Sequence, residues 1–287
     1  MPDRVWRTRR SAAPGQKCGP ASPAETTDPR IFTPAYYARL NQVEAEHWWY
    51  RGIRGLAARW LAAELGGRVG LRVLDVGCGA GFMLRWLERY AAPGPVVGVD
   101  LDNCALFYAR RQGRGAVARA SALDLPFRTG HFDLLHCGDV LQHLPGAGGD
   151  AAALAECARV LARGGLLVLR TNAAPGLGGV GDDPHYQRYR LSALEARVTG
   201  AGLELLRSTH VNVLPSLVAT ARRAARRPAG HPAGHRQHGP GLPRMPRLPG
   251  LNGALSGVLA AEAALLSLPH VSSPFGHSTL VLARRPG

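Results

Sequence analysis

Apolar residues along this chain recur in two alternating rhythms. Leu71–Leu74, Val96–Val99, Ala116–Ala118, Phe132–Cys137 and Leu166–Leu169 are short runs rich in branched side chains, the pattern of buried parallel strands. Between the first two, Phe82, Leu84, Trp86 and Leu87 begin a helical pattern, and Ala151–Leu161 predicts another helix, with Asp150 placed to cap it. Ser192 and Glu195 have the spacing of a capping box for a further helix that Gly200 and Gly202 end, and Leu203–Leu206 begin a sixth strand. Strand and helix in alternation predict an α/β fold. Ordered structure is expected from near Tyr36, with cap helices over 31–66 on which Ile53, Leu56, Ala57, Trp60 and Leu61 make one apolar face.

The two ends depart from this rhythm. Residues 1–30 have no periodicity and predict a disordered basic tail ahead of a single domain over 31–287. Residues 213–277 interrupt the pattern before a last strand near 278–284. Val213–Arg227 predicts an amphipathic basic helix, and 228–250, rich in proline, a mobile loop. Leu251–Leu268 predicts a helix with Leu251, Leu255, Val258, Leu259, Leu265 and Leu266 on one face and Glu262 inside that stripe. The glycine-rich stretch 171–184 is long enough for a functional lid.

At 287 residues and a net charge of +15, the chain invites a nucleic-acid reading, but the location of the charge argues otherwise. Residues 1–30 hold six basic and three acidic groups, and 207–287 hold ten arginines and one acid. Only +3 remains on the core, so no nucleic-acid partner is expected. Five cysteines without a C-x-x-C pair argue against a zinc site or a disulfide framework and for a cytoplasmic setting. No apolar run is long enough to span a membrane.

The chemistry concentrates in LRVLDVGCGAG, Leu71–Gly81. A strand closes on Asp75, glycines follow at 77, 79 and 81, and a helix begins. Such a turn brings backbone close to a ligand at a helix N-terminus. The spacing is G-x-G-x-G. The dinucleotide fingerprint needs G-x-G-x-x-G, and no Gly-Lys-Ser/Thr follows for a phosphate loop. An acidic strand end followed by this turn resembles motif I of class I S-adenosylmethionine-dependent methyltransferases. Three segments in register extend the resemblance: VVGVD ending on Asp100, 25 positions after Asp75; ASALDLPF, Ala120–Phe127; and FDLLHCGDVLQHL, Phe132–Leu144.

The resemblance implies a Rossmann-like, seven-stranded, mostly parallel sheet with helices on both faces and a helical insertion before the last strand. It implies S-adenosyl-L-methionine as cofactor. Asp75 would orient the methionine amine, Gly77, Gly79 and Gly81 would admit the cofactor, and Asp100 with Leu101 would hold the ribose. Ser121 stands where the family usually has an adenine-binding Asp, with Asp124 as an alternative, and Ala122 and Leu123 would border the ring. HWWYRG, His47–Gly52, resembles a segment of one bacterial subset of the family. It is expected either to form a lid, with Trp49 or Arg51 near the methionine part, or to be aromatic packing. The run Pro274–Ser278 matches the same subset.

Transfer from a sulfonium needs alignment more than bond activation. An oxygen or nitrogen acceptor adds the need for a base, for which His143 and His185 are the candidates. His136, alternating within its strand, is expected to be packed. Arg188 and Tyr189 are placed to grip an acceptor. Without an Asn/Asp-Pro-Pro-Tyr or Pro-Cys sequence after the fourth strand, a small-molecule acceptor is favoured: a sugar, polyketide or other secondary metabolite. The alternatives are an NAD(P)-binding oxidoreductase and a non-catalytic, membrane-surface-associated partner protein. The 213–227 helix is expected to cover the pocket or a homodimer contact.

Overall fold

The computed structural model describes residues 32–112, 115–144, 148–174, 187–225, 242–243 and 245–287. The expectations for residues 1–30, for His185, and for most of the 171–184 and 228–250 stretches lie outside the described residues.

Seven strands form one sheet. They are β1 (Val73–Val76), β2 (Val96–Asp100), β3 (Ala116–Arg119), β4 (Phe132–Gly138), β5 (Leu161–Asn172), β6 (Glu204–Val211) and β7 (Ser278–Arg284). Their order is β3-β2-β1-β4-β5-β7-β6. Pairing is parallel from β3 through β5, while β7 is antiparallel to both β5 and β6.

Alternation along the strands sorts side chains into two layers. On one face Val73, Leu134, Leu166, Val168, Leu280 and Leu282 pack under α2 (Trp48–Leu65), α3 (Phe82–Ala91) and α8 (Leu251–Leu266). On the other, Leu74, Val76, Leu135, Leu167, Leu169 and Val281 meet α5 (Gly149–Val160) and α6 (Leu191–Gly200). Helix α1 (Pro34–Glu46) lies over the glycine turn, where Tyr37 and Leu40 pack with Ala80 and with Cys104 and Ala105 of α4 (Asn103–Ala109).

Several local expectations yield to tertiary contacts. Helix α6 begins one residue before Ser192, with Arg190 as N-cap and no side-chain cap. Its Glu195 accepts a hydrogen bond from Ser208 on β6, so the capping box does not form. Gly148 rather than Asp150 caps α5. Asp150 instead pairs with Arg197 at 2.6 Å, tying α5 to α6. Helix α8 buries Leu259, Ala263 and Leu266, while Leu251, Val258 and Leu265 are exposed; the single expected stripe divides between two faces. Glu262 caps α7 (Val213–Ala225), accepting from the backbone N–H of Asn212 at 2.7 Å and of Val213. Among the described residues Cys78, Cys137 and Cys157 are buried free thiols, and Cys104 is disulfide-bonded. Among the described residues no helix is long and apolar enough to cross a membrane.

Helix α8, far along the chain, fixes the N-terminal cap. Asn252 accepts from Trp48 N–H at 3.0 Å and donates to the Glu46 carbonyl at 2.9 Å, clasping the α1–α2 corner. Trp60 donates its indole N–H to Leu266 O at 3.3 Å.

Candidate active site

A cavity of about 680 Å³ opens at the C-terminal ends of β1, β2, β4 and β5, roofed by α1 and the first turns of α2. This is where α/β sheets bind ligands. Of the residues expected at a cofactor, Asp75, Gly77, Gly79, Asp100, Leu101, Ser121 and Ala122 line it, and His143 lines its mouth beside Phe32, ring centroids 5.2 Å apart.

The turn after β1 is shaped by what it must pass. Gly77 has φ +71°, and a Cβ there would stand 2.2 Å from Val140 Cγ2, so no larger residue fits without movement. Asp100 organises the same turn from β2. Its Oδ2 accepts from Gly79 N–H and its Oδ1 from Asp102 N–H, both at 2.9 Å. Burial raises the Asp100 pKa and these backbone bonds oppose the rise. Asp100 lines the cavity, and each of its oxygens has acceptor capacity beyond one bond. Asp102 caps α4 through Cys104 N–H and accepts from the Tyr37 hydroxyl at 3.1 Å, binding α1 to the start of α4. Burial, with Asp100 and Asp102 nearby, drives the Tyr37 pKa well up, so it stays a hydrogen-bond donor.

Asp75 is 1% exposed. Its Oδ1 lies 2.7 Å from His136 Nδ1, and its Oδ2 is buried without a hydrogen-bond partner among the described residues. A carboxylate oxygen left in this state costs about 1–3 kcal/mol unless a ligand donor meets it. That orphan, the glycine turn and Asp100 together fit the ammonium, the chain and the ribose of S-adenosylmethionine.

His136 is a correction. Alternation placed it in the packed core, but it faces the cavity, because it is the cross-strand neighbour of Asp75 in the β1–β4 register.

The remaining expected residues stand elsewhere. Gly81 caps α3 against Ala109, and Leu123 packs in the second core layer, its N–H bonded to Ser121 Oγ at 3.1 Å. Asp124 is exposed. Trp49 stacks edge-on to His277 at 4.6 Å, and Arg51 is exposed on α2. Neither reaches the cavity. Arg54, one turn on, does, with its guanidinium 4.5 Å from the centre of the Phe82 ring. Burial lowers its pKa to about 10. Tyr189 is buried, its hydroxyl donating to Gln187 at 2.7 Å, and neither it nor Arg188 lines the cavity.

Sequence reasoning also missed the charged groups beneath the cap. Arg170 on β5 pairs with Asp139 and lies 5.4 Å from the Tyr50 ring centre. Asp139 has φ +57° and a buried Oδ1 without a partner among the described residues. Glu44 of α1 faces them. Burial pushes its pKa up to about 7, Arg170 and Arg54 pull it down, and Asp75 adds to the rise. Burial alone lowers the His143 pKa, so that imidazole is neutral near pH 7. The charged partners come together only in three dimensions, and nothing local in the sequence marks them.

The sheet order, the strand–turn–helix beneath the cavity and the carboxylates closing β1 and β2 define the class I, Rossmann-like methyltransferase fold. Residues 74–169, which hold most of this site, match the family described as "Methyltransferase domain". The ubiquinone biosynthesis O-methyltransferase of Alkalilimnicola ehrlichii is 29% identical over 150 residues, 44% of this chain and 55% of that protein. Its namesake from Xanthomonas oryzae pv. oryzae is 37% identical over 122 residues, 39% of this chain and 49% of that protein. The chain thus spans about half the length of the curated relatives it matches. Among solved structures, the methyltransferase in complex with the Haloferax volcanii Trm112 activator superposes with a TM-score of 0.56 at 19% identity, covering 90% of this chain and 97% of that one. That likeness carries the fold.

Proposed function

We propose that this protein is an S-adenosylmethionine-dependent methyltransferase acting on an oxygen or nitrogen of a small-molecule acceptor. The observation that carries the reading is the convergence of Asp75, with its unpartnered Oδ2, and Asp100 on the two sides of one glycine turn within one cavity. Bound there, the cofactor supplies a methyl group on a positively charged sulfur, already activated toward in-line displacement. Five carboxylates and three arginines line the cavity of a chain that is +15 as a whole. An acidic pocket in a basic protein suits a cationic cofactor and disfavours a polyanionic acceptor.

Asp75 would take the ammonium, the turn at Gly77 and Gly79 would let backbone lie along the ligand, Asp100 would accept from the ribose, and Ser121 and Ala122 would border the adenine. Arg54, which lines the cavity from the cap, would be available to the methionine carboxylate. The acceptor then occupies the space between cap and sheet, under Glu44 and Tyr50 and beside Asp139, Arg170 and His143. Apolar walls from Ile53, Ala57, Val168 and Leu280 exclude water there. Neutral His143 takes the acceptor proton. The curated relatives' names favour oxygen as the acceptor atom. His185 keeps its place as an alternative base.

Isothermal titration with S-adenosylmethionine and, separately, NADH tests the reading. Micromolar binding of the first and none of the second is expected; the reverse establishes a dinucleotide oxidoreductase instead. Labelled cofactor incubated with metabolite extracts then identifies the acceptor.

A further inference from the structure

We infer that His136 is a positioning residue for the cofactor: it holds the Asp75 carboxylate so that the free oxygen meets the ammonium of the amino-acid part. The inference rests on the cofactor reading above and adds a residue to it.

Three observations carry it. Asp75 and His136 are register partners on adjacent parallel strands, and their side chains meet at 2.7 Å between Oδ1 and Nδ1. Asp75 lines the cavity, and its Oδ2 is buried without a partner among the described residues. The chain also clears room for the imidazole: a Cβ at Gly138, two residues on, would lie 2.7 Å from His136 Cε1 and 3.0 Å from Nε2. The glycine therefore leaves the ring room to sit there, and the ring holds the carboxylate.

The chemistry follows from the hydrogen-bond inventory. An ionised carboxylate only accepts, so Nδ1 must carry the proton that joins the pair. With Oδ1 engaged, turning the carboxylate would break a charge-assisted bond. Oδ2 is thereby held in one direction before any ligand arrives, which removes part of the ordering cost of binding. Without the imidazole the carboxylate can rotate or draw in water, and the ammonium loses a prepared acceptor.

The test compares two probes on the full chain by calorimetry. S-adenosylhomocysteine carries the ammonium; 5′-methylthioadenosine is the same adenosyl thioether without the amino-acid part. His136→Leu is expected to weaken the first about tenfold or more and to leave the second within about twofold. His136→Asn, whose amide can replace the Nδ1 donor, is expected to bring S-adenosylhomocysteine back to within about threefold of wild type. Equal weakening of both probes in His136→Leu, or none, overturns the inference. So does an Asn variant no better than the Leu one. Where His136→Leu does not fold, Gly138→Ala takes its place, since it displaces the ring while leaving both partners in the sequence; it must show the same selective loss. If wild type binds neither probe, the cofactor reading itself falls, a result distinct from the others.

Discussion

Replacing Gly77 by alanine separates two physical costs that the structure allows to be worked out independently. Alanine at φ +71° pays about 1–2 kcal/mol for left-handed backbone. Its methyl would also stand 2.2 Å from Val140 Cγ2, far inside the ~3.5–4.0 Å optimum for carbon pairs. Valine is stiff at χ1, so relief requires the backbone after β4 to move, at about 1–3 kcal/mol. Gly77→Ala should therefore destabilise by about 2–5 kcal/mol, a large part of a domain's ~5–15 kcal/mol. Val140→Ala removes two partly buried methyls and should cost about 1 kcal/mol. In the double variant the collision disappears and the backbone cost stays. The total should then be about 2–3 kcal/mol, with a coupling of about 1–3 kcal/mol between the two sites. Urea unfolding followed by far-ultraviolet circular dichroism, with matched m-values, measures all four corners of the cycle. Additivity within about 0.5 kcal/mol refutes the steric account of this turn.

Asp100→Asn keeps one acceptor oxygen where two backbone N–H groups and a ribose need two; S-adenosylhomocysteine binding should weaken about 30- to 100-fold by calorimetry. Glu44 has a folded pKa of about 7 against an ordinary 4.5, so the folded protein holds the extra proton between those values and its stability falls as pH rises through that window. Glu44→Gln should remove that slope and gain about 1–3 kcal/mol at pH 8 relative to wild type, measured by urea unfolding at pH 5 and pH 8. His143→Ala should lower turnover of the identified acceptor by about 10²-fold or more with cofactor affinity unchanged, a split that steady-state kinetics and calorimetry resolve together.

The local part of the architecture was legible. Runs of branched residues and a glycine turn are short-range signals, and they located β1 through β5, Asp75 at the end of its strand and Asp100 closing β2. What depended on register or on distant packing was not. His136 meets Asp75 only through the pairing of β1 with β4. Arg54 rather than Arg51 reaches the cavity because buried Ile53, Leu56, Ala57 and Trp60 set the rotation of α2, and that rotation answers to α8 as much as to α2 itself. The Ser192–Glu195 box lost to a bond with Ser208 on a later strand. Glu44 and Arg170 carry no motif; a cap helix and the fifth strand bring them together.

The clasp of Asn252 on the α1–α2 corner has a consequence for the order in which this molecule can become competent. The roof emerges from the ribosome among the first residues of the fold, yet the helix that pins it is made two hundred residues later, just ahead of the strand that slides between β5 and β6. The roof is thus made first but pinned late, and the cavity beneath it can be fully closed only once α8 has been made. A ribosome-stalled chain ending near residue 245 should leave Trp60 exposed to a water-soluble quencher, and a chain that includes α8 and β7 should shield it.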